Sequence, residues 1–436
     1  MARTEECIRD RNVDNGEVLD TMTSLMNSYE AGEEGFENRK EEFFHMAGSL
    51  VEMAGMYGFS GNLWHTYLTQ LLVNHENAFS TASEIRGAVE GSINHLALHD
   101  FGIFKELYDF DLAVFDSAFG TDCADFLCNY VNTGCNSKVY NQRICDRICD
   151  MSKTLAEAST VEEFMADMVQ FYKDFGVGKL GLNKAFRIEH GKDGKPVIAP
   201  ITRIAHVNLD DLVGYEIPKQ KLIENTEAFV RGRKANNCLL FGDAGTGKSS
   251  SIKGILNRYY DEGLRIIEVY KHQFQDLNDV IAQIKNRNYK FILYMDDLSF
   301  EEFEIEYKYL KAVIEGGLEK KPDNILIYAT SNRRHLVREK SGDKLEVADD
   351  EDLHSSDTVQ EKLSLVYRFG VRIYFGAPNK KEFQNIVTTL AERYGVTMPA
   401  EELLTKANAW ELSHGGLTGR TAQQFIDHVL GTSEEQ

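Results

Sequence analysis

An αβα-layered module on a five-stranded parallel sheet, with an all-α domain before it and a helical segment after it, is the architecture this sequence predicts. Three observations carry that expectation. All six prolines lie at or after Pro196, so the first 195 residues lack the strongest helix breaker. Apolar residues there recur at helical spacing, as in FENRKEEFFHMAGSLVEMAGMYG and STVEEFMADMVQFYKDFG. Beyond residue 200 short β-branched runs alternate with helical segments, the pattern of a parallel sheet with crossover helices.

Taken in order, residues 1–188 read as the helical domain, and residues 189–207, which open with the polar, turn-rich EHGKDGKPVIAP, read as a linker. Residues 208–377 hold the expected strands CLLFG (238–242), RIIEV (265–269), KFILYMD (290–296), ILIYATS (325–331) and VRIYF (371–375). Residues 378–436 return to helical spacing, too short for a separate core and suited to a lid. The acidic stretch SGDKLEVADDEDLHSSD (341–357) reads as a solvated loop. Five cysteines fall between Cys123 and Cys149, with His95 and His99 upstream, but no CxxC pair occurs. Cys145 and Cys149 share a helix face, so core packing is expected there rather than a metal site.

The chain carries 69 acidic against 48 basic residues, a net charge of −21. A field of that sign repels phosphate backbones, so nucleic acid is not an expected partner. No apolar run approaches the roughly 18 residues of a membrane span, and the first residues are polar rather than a signal peptide. A cytoplasmic location without membrane association is the expectation.

Directly after the first predicted strand of the α/β region comes GDAGTGKS, with Gly242, Gly247, Lys248 and Ser249 at the spacing of a phosphate-binding loop. Such a loop turns the backbone N–H groups of Asp243, Ala244, Gly245, Thr246 and Ser250 and their neighbours around phosphate oxygens. The lysine reaches the β and γ phosphates, the serine hydroxyl ligates Mg²⁺, and the helix that follows favours an anion at its N-terminus. Asp296 closes the apolar run KFILYMD and can hold Mg²⁺ through its water shell. Asp297 follows, where many nucleotide hydrolases place a glutamate, and is expected to polarise water. Glu301 and Glu302 are rivals for that role.

Further segments resemble the AAA+ ATPases. In ILIYATSNRR, Asn332 matches the polar residue that orients the attacking water. In EKLSLVYRFG, Arg368 stands where related proteins carry an arginine finger, with Arg333 and Arg334 as next candidates. In GGLTGRTAQQF, Arg420 matches the arginine of the lid. NLDDLVGYE, with Val213 and Gly214, resembles the segment whose backbone embraces adenine. From about residue 60 to 430 the chain is similar to a bacterial family of predicted AAA+ ATPases of undefined role. One departure is that the second strand runs into YKHQFQDLNDV, where Tyr270 and Phe274 are expected to pack rather than grip a threaded chain.

The motifs and the resemblance together imply ATP and Mg²⁺ as ligands and ATP hydrolysis, slow because Asp297 is one methylene shorter than a glutamate. An arginine finger at Arg368 that reaches a neighbouring subunit implies a homo-oligomer. The hydrolysis is expected to drive conformational change or remodelling of a protein partner, with the helical domain as the expected partner site, although the resemblance does not supply that partner. Two alternatives stay open: an ATP-switched assembly module with negligible turnover, and a nucleic-acid loader.

Overall fold

The computed structural model describes residues 16–88, 90–132, 137, 139–140, 142–205, 207–300, 306–315, 322–332 and 364–432. Glu301, Glu302, Arg333, Arg334, Cys135 and the acidic stretch 341–357 lie outside the described residues. The chain divides into two compact units, Met1–Asn183 and Lys184–Gln436.

In the first unit the described elements are helices, running from Gly16–Glu30 to Gly178–Leu182. The helix Leu63–Asn74 is buried along almost its whole length, so apolar and small polar residues occur on every face of it. Its buried polar groups find partners: Trp64 Nε1 donates to the Leu107 carbonyl at 2.9 Å, and Asn62 caps the first turn by accepting from His65 N–H at 3.0 Å. Helices Ala78–Arg86 and Ser92–Asp109 pack on Val161–Phe175, around Phe79, Phe101 and Phe164. Cys145 is buried, and burial pushes its thiol up to about 11. Among the described residues no group of three His, Cys, Asp or Glu converges on a metal position, and no helix is long and apolar enough to cross a membrane.

The second unit is built on a seven-stranded sheet in the order β2-β1-β4-β5-β6-β3-β7. The strands are β1 Ala185–His190, β2 Pro196–Pro200, β3 Cys238–Gly242, β4 Leu264–Glu268, β5 Lys290–Met295, β6 Ile325–Ser331 and β7 Val371–Phe375. Among the described residues only the β1–β2 pair of this sheet is antiparallel, and its other pairings are parallel. All seven residues of β6 are buried, which is why ILIYATS opens on an unbroken apolar run instead of alternating apolar with polar residues.

Three expectations are corrected here. The expected linker, residues 189–207, is not all linker, because residues 185–200 cross its start. They form a hairpin whose β1 joins the sheet beside β4, so the helical unit ends before residue 188 and the sheet has seven strands instead of five. Pro196 and Pro200 hid this, yet both sit on β2, the outermost strand, where a missing N–H costs no ladder bond. The C-terminal helices Lys380–Arg393, Ala400–Ser413 and Gly419–Thr432 do bury an apolar cluster of their own, including Phe383, Leu403 and Phe425. Tyr270 is 46% exposed rather than packed, and it stacks on His272, whereas Phe274 is buried as expected.

A buried polar knot ties β6 to the helix Glu216–Val230. The Tyr328 hydroxyl meets Asn225 Nδ2 and Thr226 Oγ1, each at 2.9 Å. Tyr328→Phe should therefore lower stability by about 1–3 kcal/mol, because it strands part of a desolvated group. Urea unfolding checks this, with the exposed Tyr374→Phe expected to move the midpoint by no more than about 0.5 kcal/mol.

Candidate functional site

Strand β3 lies between β6 and β7, whereas the strand that follows it in sequence, β4, lies three places away. The strand order therefore reverses at β3, and the crevice at the carboxyl ends of such strands is where α/β sheets take ligands. Gly242 ends β3 at φ +133°, and a Cβ there would lie 2.1 Å from the Phe375 carbonyl oxygen, so no larger residue fits. The loop 243–247 turns back from that point into the helix Lys248–Tyr259. Gly245 makes the turn at φ +75°, closely facing Thr418 and Arg420.

The loop is held at both ends. Asp243 N–H donates to Phe375 O at 3.0 Å, and the Asp243 carboxylate accepts from Ala377 N–H at 2.7 Å. Lys248 Nζ donates to the carbonyls of Gly242 at 3.0 Å and Asp243 at 2.6 Å. Burial pushes the Lys248 ammonium below the usual lysine range, opposed by the charges of Asp243, Asp297 and Asp296 and reinforced by Arg420.

Ser249 Oγ donates to Asp296 Oδ1 at 2.7 Å, which joins the loop to the end of β5. That same oxygen accepts from the Tyr294 hydroxyl at 2.6 Å and from Thr330 Oγ1 at 2.5 Å. Partial enclosure disfavours charge on Asp296, but the bonds from Thr330, Tyr294 and Ser249 outweigh it and hold the carboxyl below its ordinary range. The Tyr294 phenol is pushed up by burial and by the neighbouring carboxylate. Asp297 follows at φ +48°, with its N–H on Thr330 Oγ1 at 2.9 Å and its Oδ1 accepting from Asn332 Nδ2 at 2.8 Å.

These groups line one cavity of about 680 Å³. It collects Val213, Ala244, Gly245, Thr246, Gly247, Lys248, Ser249, Ser250, Asp296, Asp297, Asn332 and Arg420 of the residues singled out in the sequence. Gly214, Gly242 and Asp243 are not among the lining residues. Arg368 is also not brought in. Its guanidinium pairs with Glu315 at the end of the helix Glu306–Glu315, and it stands ahead of β7.

Sequence reasoning missed Tyr215, Thr330, Ile386 and Leu390 in the lining and Tyr294 behind it. Tyr294 carried a usable signal, since it precedes Asp296 by two residues on a strand and so shares its face. Ile386 and Leu390 carried none: on a helix they read as core, and only folding turns them toward the cavity. Arg420 reaches the loop through its N–H to Gly245 O at 3.2 Å.

The left-handed backbone at Asp297 separates conformation from chemistry. Asp297→Val should cost about 1–2 kcal/mol, because a β-branched side chain is poorly tolerated at φ +48°. Asp297→Asn should remain within about 0.5 kcal/mol of the parent, since asparagine also tolerates this region. Thermal denaturation of the two variants measures the difference.

No curated protein matches the chain. Solved structures similar to it include a RuvB mutant from Thermotoga maritima, at 17% identity and a TM-score of 0.37 over 52% of this chain and 65% of that one. PCH-2 of C. elegans matches at 17% identity and a TM-score of 0.36, over 52% and 65%. The FIGL-1 AAA domain in complex with ADP matches at 16% identity and a TM-score of 0.36, over 52% and 74%. The chain thus spans about 65% of the length of the first two, and scores at this level fix neither activity nor partner. A family model described as "protein of unknown function (DUF815)" matches residues 182–433, from just before β1 to the end of the last helix. Among the described residues the second unit is an α/β fold with a mostly parallel sheet, and the chain belongs to the DUF815 family.

Proposed function

We propose that the chain is an ATPase of the AAA+ type, which binds ATP with Mg²⁺ and hydrolyses it slowly to drive a conformational change in a protein partner. The observation that carries this reading is the contact between Ser249 and Asp296, which places a hydroxyl and a carboxylate together at the mouth of a glycine-rich loop that also presents Lys248. An oxygen-only donor set of this kind fits a hard divalent cation. Mg²⁺, when bound, neutralises charge on the phosphate oxygens.

In this reading the backbone N–H groups from Ala244 to Ser250 cradle phosphates, and the apolar wall of Val213, Tyr215, Ile386 and Leu390 takes the base. Lys248 turns from the loop carbonyls to the terminal phosphates. Asp297, steadied by Asn332, orients the attacking water; the loose transition state of phosphoryl transfer asks for positioning more than for early proton removal. An aspartate is one methylene shorter than the glutamate usual here, and a misplacement of about 1 Å can cost on the order of 10²-fold in rate. Slow turnover is therefore expected. Arg420 couples the C-terminal helices to the loop. Arg368, which does not line the cavity of its own chain, acts on a neighbouring subunit once freed from Glu315. The helical first unit is the site proposed for a protein partner.

Lys248→Ala should abolish ATP binding or weaken it severely, whereas Asp297→Asn should keep ATP and Mg²⁺ bound and stop turnover. Calorimetry and single-turnover hydrolysis report the two steps separately. Unchanged ATP affinity in folded Lys248→Ala would remove the phosphate-loop assignment, and parental hydrolysis in Asp297→Asn would give the water to another group. Tight ATP binding with almost no turnover in the parent would favour a nucleotide-switched assembly module instead.

Arg368→Ala should bind ATP nearly as the parent does and lose about 10³-fold in hydrolysis, as arginine fingers do. Specific activity should also rise with protein concentration as subunits assemble. Concentration-independent activity from a monomer would exclude a role in trans.

A further inference from the structure

The hydroxyls that converge on Asp296 come from three elements. Ser249 opens the helix Lys248–Tyr259, Tyr294 lies on β5, and Thr330 lies on β6. All three bonds fall on Oδ1, so Oδ2 carries none of them. Tyr294 and Asp296 point to the same side of the chain by strand alternation. Thr330 comes alongside because the parallel β5–β6 register sets Tyr294 against Tyr328 and Met295 against Ala329. Tyr294 and Thr330 are only 5% and 1% exposed.

Ser249 is the member of this trio that the proposed function commits to a cation. The other two can do what it cannot: hold Asp296 whatever the Ser249 hydroxyl is doing. We infer that Tyr294 and Thr330 are positioning residues that fix the Asp296 carboxylate from two different strands, leaving Oδ2 for the cation's water shell. This inference rests on the Mg²⁺·ATP reading of the site.

Thr330 has a second task. Its hydroxyl oxygen accepts from Asp297 N–H at 2.9 Å, and its carbonyl accepts from Leu298 N–H at 2.7 Å. One residue of β6 therefore pins the turn in which Asp297 adopts φ +48°. The two hydroxyls consequently divide: Tyr294 acts on the cation carboxylate alone, and Thr330 acts on that carboxylate and on the placement of Asp297.

The division sets the experiment. Tyr294→Phe keeps the ring and removes one bond; Thr330→Val keeps the shape and removes two; Thr330→Ser retains the hydroxyl. Mn²⁺ affinity by electron paramagnetic resonance and the Mg²⁺ dependence of ATP binding by calorimetry are measured beside turnover. Tyr294→Phe should weaken Mn²⁺ binding and raise the Mg²⁺ requirement about 10-fold, the usual scale for losing a partner of a metal-holding group, with turnover recovering at saturating Mg²⁺. Thr330→Val should show the same loss, with a fall in turnover that saturating Mg²⁺ does not repair, and Thr330→Ser should restore both. Parental metal affinity in folded Tyr294→Phe, with normal Mg²⁺-dependent ATP binding by the parent, would overturn the inference and leave the ATPase reading standing. A parent protein without Mg²⁺-dependent ATP binding would overturn both.

Discussion

Strand β3 is hydrogen-bonded to β6 on one side and to β7 on the other, and at its end the backbone passes so close to Phe375 that only a glycine fits at position 242. That close approach sets where the loop 243–247 begins, and thereby where Lys248 and Ser249 emerge. It also brings Asp243 to Ala377 N–H, so the residues leading to the C-terminal helices are fastened to the same loop. Asn379 then starts the helix Lys380–Arg393 with a reciprocal cap to Glu382. The apolar wall supplied by Ile386 and Leu390 inherits its position from this sequence of contacts.

Charge at the site is balanced over short distances. Lys248 is largely withdrawn from water, which disfavours its ammonium, and three aspartates within electrostatic reach counter that loss. Against the burial that disfavours its charge, Asp296 is held below its ordinary range by hydroxyl donors, with no ion pair to an arginine among the described residues. In the proposed reading, a carboxylate held this way is charged when a divalent ion arrives, whereas one already paired with an arginine would have to give up that partner first. With a net charge of −21 the surrounding field repels anions, so in the proposed reading any attraction for phosphate comes from local groups such as Lys248.

In the first unit, buried polar atoms serve packing. The Tyr172 hydroxyl donates to Leu72 O at 2.8 Å, and Glu84, only 1% exposed, accepts from Val177 N–H at 3.0 Å. Each satisfies a desolvated group at the meeting of two helices or a helix and a turn. The exposed Tyr270, stacked on His272 at the end of β4, is a different case, since an aromatic pair open to solvent has no such packing role.

What the sequence by itself determined was everything governed by local spacing. Proline-free helical periodicity marked the helices of the first unit, apolar runs marked β3 to β7 within about a residue, and GDAGTGKS marked the turn from β3 into the helix Lys248–Tyr259 because a glycine-rich turn is written in consecutive residues. Asp296 and Asp297 were legible for the same reason, at the end of a buried run. The tertiary structure alone decided what depends on pairing between distant segments. Asp193-Gly194 in EHGKDGKPVIAP is a local turn signal, but that β1 pairs with β4 and so brings this hairpin into the sheet is nothing the segment itself announces. Thr330 and Tyr294 reached one carboxylate oxygen only through the β5–β6 register, and Asn332 met Asp297 rather than standing apart from it. Spacing along a chain reports faces and turns. Which face meets which is set by strand order, and strand order is a property of the whole sheet.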